Sequence, residues 1–412
     1  MVGLDVRGVS GTEERECVRS LLRSEFEVAP GVSAAFAALY DDLLERDPHV
    51  TPEHSRVAIL EGRVVGHALL APRNIRLCGG DCPAGLVGLV VVDPAHRGVG
   101  VGTALLESIF QMAKESALAL LVLAGDPAYY TRFGFHTAYT VSGGRLPSCD
   151  EDSPSSLRAA SAKDTVPLTQ SSLASVPSGS VTPDLDRWRW LLDTGHPRRL
   201  LQTNPAMLGF IATEDVCLIS DREHGYARVA AGGGKAVVYE LGGPSSELPE
   251  FVAAIRRWCD DQGIQDVRLR LPERHAIWGM SGVSKQTSND NEFQFKVIDL
   301  CVMWAAATEE LERRIQENVS DWRGSVTMTT ESTTFVLDRQ SGALQIDGIP
   351  KGQSTGQDGD ITIPDWGIAR LLLGKDDLRR AAAASDAGSV LDRVLYAISQ
   401  NDPPSFNLAD GI

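Results

Sequence analysis

One segment near the start of the chain constrains its fold more than any other: an apolar, β-branched run that is followed by closely spaced glycines. The run, Leu86–Val92, ends at Asp93-Pro94; glycines follow at positions 98, 100 and 102, and apolar residues then recur at helical spacing. The first turn of a helix leaves backbone N–H groups without partners and carries a partial positive charge. Glycines let such a backbone close around an anion. The segment therefore predicts a strand, a loop and a helix that together bind a pyrophosphate group.

Three interpretations of this glycine-rich loop compete. A Walker loop needs a lysine followed by serine or threonine, and no lysine lies beside Gly102. A dinucleotide-binding fingerprint has the spacing Gly-x-Gly-x-x-Gly within a repeating parallel sheet. The spacing here is Arg-Gly-x-Gly-x-Gly, and no further strand–helix–strand units follow. The third interpretation is a plain strand-to-helix turn, which a second motif downstream disfavours.

That second motif is Tyr130-Thr131-Arg132-Phe133-Gly134-Phe135. It resembles the Tyr-x-Arg-Phe-Gly-Phe/Tyr signature in one branch of the GCN5-related N-acetyltransferases (GNAT), whose coenzyme loop reads Arg/Gln-x-x-Gly-x-Gly/Ala. Arg97, Gly100 and Gly102 match that loop, and the two motifs occur in the family's order within residues 1–145. The resemblance implies an α/β fold built on a mixed sheet, with acetyl-CoA as the co-substrate.

The resemblance also implies which residues bind the coenzyme. Backbone N–H groups of the loop would bind the pyrophosphate, and the end of the preceding strand would pair with the pantetheine amides. A strand N–H near Val90 would polarise the acyl carbonyl. The residues assigned to coenzyme binding are Leu89, Val90, Val91, Val92, Arg97, Gly98, Val99, Gly100, Val101, Gly102 and Thr103.

Tyr130 is the predicted general acid, because in Eis-like members of the superfamily a tyrosine at this place protonates the coenzyme sulfur. A phenol has a pKa of about 10 in model peptides and can donate a proton at neutral pH. Tyr129 is the neighbouring competitor, and packing beside Phe133 and Phe135 is the alternative role. The same resemblance implies that the terminal carboxylate, on Ile412, accepts the proton of the amine.

The acceptor is predicted to be a primary amine. The net charge of −16 argues against nucleic-acid binding and favours a cationic substrate. Asp41, Asp42 and Glu45 lie on a predicted helix that borders the acceptor cleft in GNAT folds, where they would attract a cation. Their alternative role is to form the solvated face of an amphipathic helix.

Composition is typical of a globular cytoplasmic protein. Hydrophobic residues make up 43% of the chain, no apolar run approaches the roughly eighteen residues of a membrane span, and the N-terminus lacks the regions of a signal peptide. The 7 cysteines are odd in number and widely spaced, so they are expected to stay reduced. Cys78 and Cys82 flank a predicted hairpin without a second ligand pair nearby, and no metal is predicted.

The length of 412 residues predicts two or three domains. The coenzyme-binding domain covers residues 1–147, and a Ser/Pro-rich linker covers 148–182. A degenerate GNAT-like domain then covers 183–299, and an α+β domain that resembles sterol carrier proteins covers 300–412. This order resembles the Eis family of multidomain acetyltransferases, which implies a homo-oligomer.

The leading interpretation is an N-acetyltransferase that moves an acetyl group from acetyl-CoA directly to a primary amine in a ternary complex. One alternative keeps the coenzyme and changes the chemistry, to transfer of a longer acyl group or decarboxylation of a malonyl thioester. Another is a non-catalytic module that binds coenzyme A or lipid. The acceptor stays open among aminoglycosides, polyamines, protein lysines, amino-acid-like metabolites and small antibiotic precursors.

Overall fold

The computed structural model is an α/β protein, as the sequence predicts, and its described strands form two sheets. The residues described are 3–26, 32–78, 80–146, 157–175, 181–182, 184–193, 214–220, 225–243, 246–272, 275–349, 360–372 and 394. Within these ranges, no helix is long and apolar enough to cross a membrane.

The first half of the larger sheet follows the predicted order of strand, glycine-rich loop and helix. Its elements are β1 Leu4–Gly8, α1 Gly11–Glu25, α2 Val32–Arg46, β2 Ser55–Leu60, β3 Arg63–Leu77, β4 Gly80–Val92, α3 Val101–Glu115, β5 Leu120–Ala124, α4 Pro127–Tyr130 and β6 His136–Arg145. The apolar run of the sequence is only the second part of β4. Its first part, which contains Pro83, pairs with β3 across a hairpin that begins at Leu77 and Gly80.

The second half repeats this order. Its elements are β7 Leu157–Ala159, α5 Thr165–Ser175, α6 Leu185–Asp193, β8 Glu214–Ser220, β9 Tyr226–Gly232, β10 Lys235–Gly242, α7 Leu248–Asp261, β11 Asp266–Pro272 and β12 Ser284–Val297. The segment 148–182, predicted as a linker, contains β7 and α5 where the structure describes it. The side chain of Asp164 accepts hydrogen bonds from Ser161 N (2.8 Å) and from the guanidinium of Arg158. Such local bonds order a stretch whose composition is typical of a loop.

The two halves exchange strands. The order of the larger sheet is β1-β2-β3-β4-β5-β12-β6-β11-β10-β9-β8-β7. The last part of β12, Phe293–Val297, lies between β5 and β6 and completes the first half. The last part of β6, residues 141–145, pairs with β11 and completes the second half. One sheet therefore contains described strands from both sides of the predicted domain boundaries at 147 and 183.

The remaining described residues form an α+β unit. It comprises α8 Leu300–Asn318, β13 Ser325–Thr329, β14 Thr334–Asp338, β15 Gln345–Ile349, β16 Asp360–Thr362 and α9 Asp365–Leu372, with sheet order β15-β14-β13-β16. This unit packs closely on the β3–β4 hairpin. A Cβ atom at Gly80 would overlap the carbonyl oxygen of Ala306 in α8, and the Cys78 thiol donates to Leu372 O at 3.2 Å.

Apolar side chains cover both faces of the first half. On one face, the helix α3 buries Leu105, Leu106 and Ile109 completely. The other face packs against α1, α2 and α8. Each fully buried side chain of this kind contributes about 1.5–3 kcal/mol, so the sheet between the two layers is a rigid support for the loops at its edge.

Candidate active site

A gap opens between β4 and β5, next to the glycine-rich loop. The two strands pair in parallel from Ala84 and Leu120 to Leu86 and Val122, and their described pairing ends there. β12 pairs with the other edge of β5 along Leu120–Ala124. We call the divergence along β4 residues 87–92 the first gap. Backbone groups along this part of β4, which have no described pairing with β5, can pair with an extended ligand that carries amide groups.

β4 carries a bulge at the first gap. His67 of β3 lies opposite Val91 and Leu69 lies opposite Gly88, so Leu89 and Val90 together face a single β3 residue. Leu89 has a φ of 50°, in the left-handed region that favours glycine. A bulge of this kind changes the direction of the peptide groups beside it. The predicted polarising N–H near Val90 thus lies at the one irregular point of the β3–β4 pairing.

The glycine loop, residues 97–103, joins β4 to α3 in left-handed turns. Gly98 and Gly100 have φ values of 75° and 97°, and Gly100 is the N-cap of α3. The helix therefore begins at Val101, and the N–H groups of its first turn point back toward the loop. This arrangement fits a pyrophosphate.

Tyr129 reaches the first turn of α3, which sequence reasoning did not foresee. A Cβ atom at Gly102 would lie 2.5 Å from the Tyr129 hydroxyl oxygen, so any larger residue there would require Tyr129 to move. The guanidinium of Arg132 lies over the Tyr129 ring, 4.1 Å from its centroid. The only signal in the sequence was the doubled aromatic at 129 and 130.

Arg97 is held at the mouth of the loop by two contacts. Its Nε donates to Val92 O at 3.0 Å, and its Nη2 donates to the carboxylate of Glu25 at the end of α1. The Arg97 side chain is still 56% exposed, so it remains accessible to an anion.

Tyr130 ends α4 and is half-buried. Its ring packs edge-to-face on Tyr129 and Phe135, with centroid distances of 4.9 and 5.8 Å. A Cβ atom at Gly125 would overlap this ring. Within the described part of the chain, no group accepts a hydrogen bond from the Tyr130 hydroxyl. Burial raises the pKa of Tyr130 to about 12, so the phenol stays protonated at neutral pH.

The exchanged strand β12 supports the segment that carries Tyr130. Gln294, which is almost fully buried, donates from Nε2 to Gly125 O at 2.9 Å. Lys296 donates from Nζ to Phe133 O at 2.9 Å. Both ends of the Tyr130 segment are thus fixed by residues more than 160 positions later, which no local pattern could predict.

The three acids predicted to attract the acceptor differ in environment. Asp41 accepts from Arg19 Nε at 2.7 Å, and Asp42 is buried with Arg46 at 3.7 Å. Glu45 is exposed on α2. Ile412 lies outside the described residues. No cluster of three or more His, Cys, Asp or Glu side chains that could hold a metal occurs within the described ranges.

Comparisons with known proteins agree with this geometry. A family model for the acetyltransferase (GNAT) domain matches residues 6–138. The probable glucosamine 6-phosphate N-acetyltransferase 2 of Oryza sativa subsp. japonica is 31% identical over 137 residues, which cover 32% of this chain and 81% of that protein. The uncharacterized N-acetyltransferase YhbS of Escherichia coli K12 is 33% identical over 78 residues, 19% of this chain and 46% of that one.

Solved structures share the whole fold at low sequence identity. A GCN5-related N-acetyltransferase from Kribbella flavida superposes with a TM-score of 0.67 at 17% identity, and 99% of this chain and 98% of that chain are covered. Eis1 from Mycobacterium abscessus superposes with a TM-score of 0.63 at 16% identity over 97% and 98% of the two chains. The fold expected from the Eis-like order is therefore confirmed. The chain belongs to the GNAT acetyltransferases.

Proposed function

We propose that this protein transfers an acetyl group from acetyl-CoA to a primary amine, by direct transfer in a ternary complex. The strongest support is that the glycine loop follows β4 and the segment with Tyr130 follows β5, next to the point where the described pairing of these two parallel strands ends. The loop amides from Val99 to Thr103, with Arg97, fit the pyrophosphate. The edge of β4 at Leu89–Val92 fits the pantetheine amides.

Each residue of the site has a defined task in this reaction. The thioester supplies an activated acyl carbon and a thiolate leaving group. The N–H of Val90 donates a hydrogen bond to the acyl oxygen. Tyr130 donates its proton to the departing sulfur, and its raised pKa keeps that proton available until the sulfur becomes basic. We further propose that the Ile412 carboxylate accepts the amine proton.

The acceptor approaches from the face of the sheet that α2 covers, where Glu45 is the exposed acid among the three predicted ones. The name of the rice relative points to an amino sugar phosphate as the acceptor, and the reacting group of that sugar is a primary amine. We therefore place glucosamine 6-phosphate beside aminoglycosides, polyamines and lysine peptides among the acceptors to be tried.

A pair of tyrosine variants tests this function. Purified protein is mixed with acetyl-CoA and each amine, and the release of free thiol is followed. We expect Tyr130→Phe to lower kcat at least about tenfold with the affinity for CoA unchanged. Tyr129→Phe is the matched control, because it loses a hydroxyl beside Gly102 and should weaken CoA binding rather than kcat.

Three outcomes would count against the proposal. An unchanged rate in Tyr130→Phe would remove this residue from the mechanism. CoA binding without thiol release from any amine would favour a non-catalytic module. Neither binding nor release would overturn the assignment of the first gap.

A further inference from the structure

We infer that His67 is a positioning residue: it holds the bulge of β4 so that the N–H of Val90 faces the first gap. This inference rests on the acyl transfer proposed above. His67 lies on β3, does not border the glycine loop, and is fully buried. It has no contact with Tyr130 among the described residues. Its effect on the reaction would pass through the backbone of β4.

A chain of three buried side chains ends at the bulge. The Tyr40 hydroxyl of α2 lies 3.2 Å from the Ser55 hydroxyl of β2, which lies 3.0 Å from His67 Nε2. His67 Nδ1 lies 2.9 Å from Leu89 O. All three side chains are completely shielded from solvent. Hydrogen bonds in such surroundings are strong, and each lost partner is costly.

The chemistry of the acceptor atom fixes the direction of the whole chain. A carbonyl oxygen can only accept, so His67 Nδ1 must carry the proton that bonds Leu89 O. In a neutral imidazole, Nε2 is then the acceptor, and the Ser55 hydroxyl donates to it. The Ser55 oxygen in turn accepts from the Tyr40 hydroxyl. Burial lowers the pKa of His67 to about 4, so the neutral ring persists at physiological pH.

Planarity of the peptide group transmits this bond to the first gap. The C=O of Leu89 and the N–H of Val90 belong to one trans peptide unit and point in opposite directions. His67 binds that C=O from the side of β3. The N–H of Val90 is therefore directed to the opposite side of β4, where β5 diverges.

The bulge needs such a bond because its backbone is unfavourable. Leu89 has a φ of 50°, a left-handed conformation that is strained for a non-glycine residue. Without the His67 donor, the peptide group between Leu89 and Val90 can rotate to a less strained conformation. The N–H of Val90 would then no longer point into the first gap. The ground-state contacts of the glycine loop would be unaffected.

Two replacements of His67 separate positioning from mere packing. Asparagine places its amide near the Nδ1 position and can still donate to Leu89 O, whereas glutamine reaches the Nε2 position and cannot. We expect His67→Gln to lower kcat at least about tenfold, with the KM for acetyl-CoA and the Kd for CoA changed less than about threefold. His67→Asn should stay within about threefold of the wild type. Equal kcat values in both variants would overturn the inference.

A milder variant and a spectroscopic readout keep the test decisive. Ser55→Ala retains the imidazole and should lower kcat about two- to fivefold. In the wild-type protein, long-range ¹⁵N–¹H spectra should show His67 protonated on Nδ1 at pH 7. An Nε2-protonated ring would refute the proposal. Because this readout needs no turnover, it remains valid if no amine releases thiol, which would count only against the proposed function.

Discussion

Each half of the larger sheet has buried polar side chains next to a one-residue register shift, but the chemical nature of these side chains differs. In the first half the pair is His67 and Ser55, both neutral. In the second half, Arg228 of β9 lies opposite Glu240 just after a register shift in β10, as His67 lies opposite Val91 in the first. Arg228 donates to Asp215 of β8 at 3.0 Å. The strand order and the register shift are thus repeated, but the ion pair of Arg228 stands in the second half where the neutral His67 stands in the first.

The two halves also differ at the place where their parallel strands diverge. In the second half, β10 and β11 pair in parallel from Lys235 to Val238 and then diverge. There the side chain of His275 donates from Nε2 to Leu241 O at 3.2 Å and accepts from Ile277 N through Nδ1 at 3.1 Å. One imidazole thus joins the diverging β10 to the turn after β11.

A histidine therefore binds a carbonyl of the bulged strand in both halves, from opposite sides. His67 approaches from the β3 side, whereas His275 approaches from the β11 side and bridges the place where β10 and β11 diverge. The corresponding residue before α4 is Asp126, which caps that helix by accepting from Ala128 N at 2.9 Å. The comparison teaches that the repeated sheet has two places where parallel strands diverge, and under the proposed function only the first takes the coenzyme.

The largest effect expected from this comparison is on stability. Arg228 is nearly fully buried between Asp215 and Glu240, so Arg228→Leu leaves two buried carboxylates without their cation. We expect the free energy of unfolding to fall by about 3–5 kcal/mol. Urea unfolding at pH 7 measures this loss.

The matched control is Arg189→Leu, which removes an arginine from an ion pair with Asp186 that is mostly exposed. That loss should be below about 0.5 kcal/mol. His67→Asn, which keeps one hydrogen bond of a neutral pair, should cost about 1–2 kcal/mol. Similar losses in Arg228→Leu and His67→Asn would mean that the two halves do not differ in the way described.

Local features of the first half were predictable from sequence because they depend on neighbours in the chain. The strand before Asp93, the left-handed loop and the helix from Val101 follow from β-branched residues, glycines and helical spacing. The family resemblance supplied the predicted role of Tyr130 as general acid. These features need no knowledge of distant contacts.

The supports of the site could not be predicted, since each depends on pairing between distant strands. Gln294 and Lys296 contact the Tyr130 segment only because β12 is exchanged into the first half. His67 looks like an ordinary residue of an apolar strand until the register places it beside the bulge. The sequence of 148–182 is typical of a linker because it is polar, and the hydrogen bonds that order its described part are made by polar side chains such as Asp164.

A smaller effect is the dependence of stability on pH. The folded protein lowers the pKa of His67 from 6.5 to about 4, so the unfolded chain binds a proton first as the pH falls. This contribution is complete above pH 6.5 and declines toward pH 4, by about 2 kcal/mol at pH 5. The pKa of His275 is lowered by burial in the same direction.

Urea midpoints of the wild type and His67→Asn, measured at intervals from pH 7.5 to pH 5, would reveal this contribution. The wild type should lose about 2 kcal/mol more than the variant across that range. Parallel curves for the two proteins would show that the imidazole of His67 is not shielded as the structure implies.

The smallest effect concerns an internal ion pair at the glycine loop. Glu25 of α1 holds Arg97 through an ion pair at the mouth of the loop, whereas His275 in the second half makes partly buried hydrogen bonds to backbone groups. An incoming pyrophosphate must compete with Glu25 for the guanidinium. Glu25→Gln should therefore raise the affinity for CoA about two- to fivefold, the effect of an exposed ion pair.

Calorimetric titration with CoA at low and high salt measures this gain, which should shrink as salt screens the pair. Glu16→Gln is the matched control, because it removes the same charge from α1 but an ion pair with Arg19 and Arg23 instead. A weaker affinity in Glu25→Gln would mean that Glu25 orients Arg97 for its ligand rather than competing with it. The Glu25–Arg97 ion pair would then prepare the loop for its ligand, whereas His275 in the second half bridges the diverging strands.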